Sequence, residues 1–473
     1  MLANVSTDEV LSDGRTMAWL GVGLFMLALQ FGSLASFAVE VLITVVSVVP
    51  GVDAAAALSG LQGAVDAIPT LLSRETIPNQ GYYNGSGYEE TFLGLAPAMA
   101  WALRATLVYV YAFAAAGWAV YGFQIYRSQY RPADWTPRDD VIDRLRGHKW
   151  GLFGLVIVFM FVTMAVFAPA LGPTTVEQNM RNSYGYEIDY WSTESGSVET
   201  VTVGDANLGS VSQGNDRNIG PWSYDDYGRF HPFGTMQDGS DLFTFLMVGS
   251  RISLVIGVLS VALSASIAAS LALTAAYYKG RVDLSMVLVS DGVMAMPQLL
   301  LLIMLTTVLA DTWINEVYSG GFLLALIFAF TGWTYMWRSV RGPALQIAER
   351  EWIDAARSFG QRPTTIMRKH MLPYVTGYLL IYGSMTLGGA IISIAGLSYL
   401  GLGVAPPTPE WGRAVNLGQD YVRTGSWHIS LIPGILITLV VTGFNALGDG
   451  IRDAIDPQSD SAGGETAGAG GGA

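Results

Sequence analysis

Cysteine is absent from the 473-residue chain, lysine is confined to Lys149, Lys279 and Lys369, and histidine to His148, His231, His370 and His428. Each scarcity closes a class of chemistry. Without cysteine there is no disulfide framework, no thiolate nucleophile and no Cys-ligated metal. The four histidines are far apart in sequence, so nothing supports a His-built metal centre or a His-based catalytic group. The lysines are followed by Trp150, Gly280 and His370, so the phosphate-cradling pattern G-x-x-x-x-G-K-[ST] cannot occur and the chain does not bind ATP in that way. No paired carboxylates or nucleophile–base set stand out, which reads against an enzyme. Charge is scarce as well, at 13% against roughly 25% in an average soluble domain. What charge there is sums to −13, the wrong sign for nucleic acid. No internal repeat is apparent, which counts against secondary transporters built from symmetrical halves.

Hydrophobic residues make up 51% of the chain. They gather into runs at 16–49, 96–126, 151–171, 252–277, 284–310, 321–339, 374–399 and 428–449, each long enough to span a bilayer at about 20 residues per crossing. The expected fold is therefore an all-α polytopic membrane protein. Glu40 interrupts the first run, which lacks a basic leader and a cleavage site and reads as a retained anchor. Arginine and lysine favour cytoplasmic loops, and 127–150 carries Arg127, Arg131, Arg138, Arg144, Arg146 and Lys149. Alternation from there puts 278–283, 340–373 and both termini inside, and 173–251 and 400–427 outside. Residues 50–95 read as a helical cap on the outer surface, and 173–230 as an outer loop with one or two hairpins. Trp101, Tyr109 and Trp118 read as interfacial anchors. The Gly- and Ala-rich stretch 458–473 reads as a disordered tail.

One segment breaks the apolar pattern. Between Glu349 and Lys369 lie Glu349, Arg350, Glu351, Asp354, Arg357, Arg362, Arg368 and Lys369. A charge near the bilayer centre costs at least about 2.5–3.5 kcal/mol, so this stretch does not span. Leu345, Ala348, Trp352, Ala355, Ala356 and Phe359 nevertheless keep an apolar stripe at helical spacing. Gly360 supplies a stop, and Pro363 starts a second short helix expected to end before Pro373. On periodicity alone the segment is either a helix lying on lipid headgroups or a docking element for a soluble partner.

The residues of that insert resemble a family motif. Asp354-Ala355-Ala356-x-x-x-Gly360 followed by Leu372-Pro373 is similar to the cytoplasmic EAA loop of ABC importer permeases, with Asp354 where the motif has glutamate. Three further blocks agree in order: His231-Pro232-Phe233-Gly234-Thr235 leading to Gly249-Ser250-Arg251-Ile252-Ser253-Leu254; Tyr399-Leu400-Gly401 through Glu410-Trp411-Gly412; and Asn445-x-Leu447-Gly448-Asp449-Gly450 through Asp456-Pro457. Met236 and Ser240 depart from the pattern, standing where the family usually has Asp and Arg. The resemblance covers about 148–457 and is nearest to the C-type permease subunit of dipeptide and oligopeptide (or nickel) importers. It divides the chain into an extension (1–147), a first core helix with a long outer loop (148–246) and a permease domain (247–457), followed by the tail.

The resemblance implies a type I importer core of six transmembrane helices, here preceded by two more. It implies a second permease subunit, two ATP-binding subunits that carry ATP in place of any cofactor on this chain, an extracellular solute-binding protein, and a cell-membrane location. Trp352, Asp354, Ala355, Ala356, Phe359, Gly360, Leu372 and Pro373 become candidates for ATPase coupling, with Trp352, Ala356 and Phe359 filling a groove. Asp291 and Pro297 are candidates for a gate, since intramembrane carboxylates are functional candidates by default and proline kinks a helix. A structural partner for Asp291 is the alternative. Glu410, Trp411 and Gly412, after Pro406-Pro407-Thr408-Pro409, are candidates for docking the binding protein, or form a plain interfacial loop. The remaining alternatives are the same machinery with another cargo, such as nickel, and a stand-alone channel or secondary transporter.

Overall fold

The computed structural model describes residues 13–46, 54–66, 68, 70–131 and 136–455. In chain order the helices are α1 (Gly14–Leu29), α2 (Phe31–Val46), α3 (Ala54–Asp66), α4 (Pro97–Ile125), α5 (Pro137–Gly147), α6 (Lys149–Val166), α7 (Ala168–Leu171), α8 (Val203–Gly209), α9 (Leu242–Tyr278), α10 (Gly280–Met294), α11 (Gln298–Val308), α12 (Trp313–Glu316), α13 (Gly321–Ala348), α14 (Glu351–Ser358), α15 (Pro363–Ile366), α16 (Leu372–Tyr399), α17 (Trp411–Gly418) and α18 (His428–Ile455). The strands form three antiparallel two-stranded hairpins: β1 (Tyr82–Tyr83) with β2 (Tyr88–Glu89), β3 (Glu187–Ser192) with β4 (Ser197–Thr202), and β5 (Ser223–Tyr224) with β6 (Phe230–His231). The hairpins expected in 173–230 are therefore present. The helical cap expected over 50–95 is confined to α3, and the rest is loop and a short hairpin. The tail 458–473 lies outside the described residues.

Among the described residues six helices are long and apolar enough to cross a membrane, and two bent pairs, α1 with α2 and α10 with α11, bring the number to eight. Counting each bent pair as one span gives the eight expected, with the first and fifth bent by 67° and 83°. Pro297 accounts for the second break, because a residue preceding proline is pushed out of helical geometry and proline cannot donate to the helix. The first break has no proline. It falls at Gln30, which is buried and whose amide turns back to the Leu27 carbonyl.

Packing separates the chain into two units, one of 1–136, 163–251 and 414–433, the other of 137–162, 252–413 and 434–473. In the first, α1 and α4 are joined by Trp19 and Trp118, whose rings stack at 4.5 Å while each indole donates to the other's carbonyl. Trp101 is buried among Trp222, Phe230 and Phe243 and donates to the Leu171 carbonyl. Trp101 and Trp118 are therefore packing residues, which corrects their reading as interfacial anchors. The fully buried Arg104 donates to the carbonyls of Ala170, Ile77 and Gly172, so one guanidinium ties α4 to two separate loops.

In the second unit α9, α13 and α16 build the core. Ala268, Ala272 and Ala276 recur every fourth residue along α9 and lie in one buried cluster with Trp333, Trp337 and Ala344 of α13, small residues allowing close helix approach. Gly154 of α6 sits against α18, where a Cβ would meet the Gly443 carbonyl and the Leu447 amide. His148 pairs with Asp453 at 3.1 Å, so this carboxylate is engaged within the chain itself. We expect Arg104→Met to lose the three carbonyl contacts, costing about 1–3 kcal/mol and lowering the melting temperature of the detergent-purified chain by several degrees; an unchanged melting curve contradicts the staple.

Candidate functional site

The insert hangs between α13 and α16. Ala348 ends α13, and after the turn at Glu349–Arg350 helix α14 begins, so the stripe from Leu345 to Phe359 runs over two helices and not one. At the far end Gly360 takes φ +71°, its amide donates to the Arg357 carbonyl and the Gln361 amide to that of Ala356. That bond pair is the Schellman cap, which needs a left-handed residue at this position. Pro363 starts α15 as expected, but a π-helical turn over Met367–Met371 carries the backbone directly into α16. The short helix therefore does not stop before Pro373. Pro373 is the second residue of α16, directly after the π-helical turn.

The two faces of α14 differ. Ile353 and Ala356, one turn apart, are buried in the core cluster with Ile366, Met371 and Val375. Trp352 is 43% exposed, Phe359 is 85% exposed, and Asp354 and Ala355 are exposed beside them. Ala356 thus turns inward, which corrects its reading as a groove filler: its spacing from Ile353 puts it on the inner face. Trp352 stacks on Tyr374 at 5.8 Å, and Arg357 lies over the Tyr277 ring and donates to the Tyr277 carbonyl. Leu372 is half-buried and Pro373 exposed. Ile353 and Ile366, which fasten the insert, were not singled out from sequence, although their spacing on the inner face was readable.

Asp291 is not isolated. It pairs with Arg338 of α13, and nearer the start of α10 Asp283 pairs with Arg341 through both guanidinium edges. Two ion pairs thus join α10 to α13 below the break at Pro297. The arginines had gone unremarked in sequence, although a carboxylate in an apolar run demands a partner. Beyond the break, a cavity of about 340 Å³ lies among Thr306, Asn315, Leu323 and the loop 401–406.

Glu410, Trp411 and Gly412 are a correction. Glu410 and Trp411 have no exposed surface, and a Cβ on Gly412 would collide with the Ala395 carbonyl. Glu410 accepts from the Gly412 amide at 2.6 Å and the Arg413 amide at 3.2 Å, capping α17, and Trp411 packs edge-on to Phe161. Burial pushes the Glu410 carboxyl above its ordinary range, against the pull of those amides. These three residues support the 400–412 loop from beneath and present no contact surface. The reason is chemical: a capping carboxylate and a close-approach glycine both belong inside.

The motif around His231 is likewise internal. His231 Nδ1 lies 2.9 Å from Asp241 and Nε2 3.4 Å from Asp225, while Arg229 donates to Asp225, Asn207 and Ser210. Burial pulls the imidazole down, but the two carboxylates outweigh it and hold it above its usual value. His231 and Arg229 in turn hold Asp225 below the carboxylate range, overcoming its own burial.

A helical membrane chain with a polar insert clamped between two spans fits a permease. The comparisons agree. Residues 264–460 match the model of the binding-protein-dependent transport system inner membrane component, and 136–186 match the N-terminal membrane domain of oligopeptide transport permease C. The oligopeptide transport system permease protein OppC of Bacillus subtilis is 32% identical over 319 residues, 67% of this chain and 89% of that protein. The dipeptide transport system permease protein DppC of the same organism is 31% identical over 342 residues, 71% of this chain and 92% of that protein. The glutathione transport system permease protein GsiD of Pectobacterium atrosepticum is 35% identical over 243 residues, 50% of this chain and 78% of that protein. The chain belongs to the binding-protein-dependent ABC importer permeases, as a non-enzymatic membrane subunit that works with partner permease, ATPase and binding-protein components.

The His231 network sets a pH window. A raised histidine contributes stability that is complete below its unfolded value near 6.5 and lost as pH climbs through the folded value; a lowered Asp225 contributes above its unfolded value near 3.8 and loses this as pH falls. Hydrogen exchange of 203–241 should therefore be slowest between those limits and quicken on the alkaline side, and His231→Gln should remove the alkaline limb. Protection independent of pH in the parent chain contradicts the arrangement.

Proposed function

We propose that this chain forms half of the translocation pathway of an ATP-driven importer of short peptides. It pairs with a second permease subunit in the cell membrane, receives cargo from an extracellular binding protein, and is driven by two ATP-binding subunits that hold the nucleotide. The relatives, permeases of oligopeptide, dipeptide and glutathione transport systems, support peptides over nickel as cargo. The arginine-rich loops support a cytoplasmic side for the insert and both termini.

One observation carries the coupling role: an insert fastened to the spans by Ile353, Ala356, Ile366 and Met371 leaves Trp352 and Phe359 unburied at its tip. An exposed aromatic edge of this kind, with Ala355 beside it and Asp354 paired with Arg357 at 3.4 Å, fits a groove on an ATPase. Gly360 fixes the angle of that edge. Leu372 and Pro373 begin the helix that receives the movement, and the break at Pro297, with Asp291 held by Arg338, is the gate element. Glu410, Trp411 and Gly412 act as props beneath whichever surface receives the binding protein.

The test uses the assembled transporter in proteoliposomes. Gly360→Val meets nothing within 4 Å, so its cost is the left-handed backbone alone, about 1–2 kcal/mol. Together with Phe359→Ser it should abolish ATP-dependent uptake of a labelled dipeptide while leaving membrane insertion intact. Undiminished uptake overturns the coupling assignment. Uptake that unlabelled di- and oligopeptides do not compete overturns the cargo.

A further inference from the structure

A cavity of about 890 Å³ opens within the first unit, between α2, the loop 68–76, the end of α6 and Arg251 of α9. Its lining mixes two chemistries: Ser33, Ser36, Thr70 and Ser73 bring hydroxyls, and Phe37, Val166 and Phe167 bring carbon. Arg74 and Arg251 both reach it, and among the described lining residues Glu75 is the carboxylate beside them. Arg104, outside the lining, shares the Gly172 carbonyl with Arg74. Positive charge is thus concentrated at one locus of a chain whose net charge is −13. Burial pushes the Arg74 guanidinium down to about 10, with Glu75 opposing it only in part.

The setting is a membrane boundary. The apolar run of α6 ends at Val166, and the hairpin-bearing outer loop follows within a few residues. The carbon lining is exposed in part: Phe37 is 43% exposed and Val166 49%, and Leu34, one turn from Phe37 on α2, is 42% exposed. Arg251 lies 5.0 Å over the Phe37 ring, so its guanidinium sits against part of the carbon lining. A planar guanidinium pair suits a phosphate, and the adjoining hydrocarbon surface suits an acyl chain.

We propose that this cavity binds the phosphate headgroup of an anionic phospholipid, with Arg74 and Arg251 on the phosphate, the hydroxyls of Ser33 and Thr70 on the glycerol portion, and one acyl chain along Leu34 and Phe37. The site belongs to the N-terminal extension and to α9, and it gives that extension a role in seating a lipid within the unit that carries the outer loop. A soluble anion would engage the arginines and hydroxyls and leave the carbon lining unused, so the lipid accounts for both kinds of lining residue.

The test is native mass spectrometry of the assembled transporter released from nanodiscs of phosphatidylcholine with phosphatidylglycerol as the probe. Phosphatidylglycerol should be retained in preference to phosphatidylcholine. Arg74→Gln with Arg251→Gln should weaken retention about tenfold or more, the scale of a lost charge-assisted hydrogen bond. Because Arg74 also ties down the Gly172 and Thr174 carbonyls, Ser33→Phe serves as a second variant: it fills the cavity, spares both arginines and should also expel the lipid. Equal retention of the two lipids, or retention unchanged in Ser33→Phe, overturns the proposal. So does stabilisation by millimolar inorganic phosphate with no lipid retained, which would assign the arginines to a free anion.

Discussion

The contact on which the second unit depends is the burial of Ile353, Ala356, Ile366 and Met371 against Ala276, Ala344 and Ala348. These residues come from the polar insert and from two spans, and they form one continuous core. A surface helix held by headgroups would move independently of the helices it joins. This one cannot, because close-packed interiors transmit displacement rather than absorb it. The exposed aromatic edge of α14 and the walls of the spans are therefore ends of the same rigid piece.

The bilayer imposes a second constraint, that backbone and charge be satisfied within the protein. It explains why α10 and α11 break at Pro297 yet stay tied to α13, since Asp283 and Asp291 each find an arginine there. Both arms of the break therefore pack on α13, and the arm before Pro297 adds ion pairs to that packing. The same constraint shapes the extension, where Arg104 satisfies three loop carbonyls near the start of α4. In the proposed transport cycle the pathway opens alternately to either side as the ATPases close and separate, a shift between two pre-existing packings.

Much of this was legible in the sequence, for reasons that differ by element. Long apolar runs revealed the spans because hydropathy needs no tertiary information, and Pro297 and Gly360 marked breaks because their backbone chemistry is local. The Gln30 break was not legible, since it is made by burial and not by a helix breaker. Faces were harder than elements. Ala356, Trp101 and Glu410 all look like surface residues in a linear reading, and all turn inward: one by helical phase, one by an aromatic cluster, one by capping a helix. Partners such as Arg338 for Asp291 are set by which helices become neighbours, information that no single segment carries.

The rigidity of the insert against its spans is the central claim, and the chain's lack of cysteine makes it directly measurable. Spin labels at Phe359→Cys and Leu380→Cys, both exposed positions, report the distance from the insert tip to α16 in the assembled transporter. Labels at Phe359→Cys and Leu300→Cys report the distance from the tip to the segment beyond the Pro297 break. Across ATP binding and hydrolysis the first distance should stay fixed while the second changes. A first distance that shifts while the second stays constant would show the insert moving free of its spans, and would contradict the account.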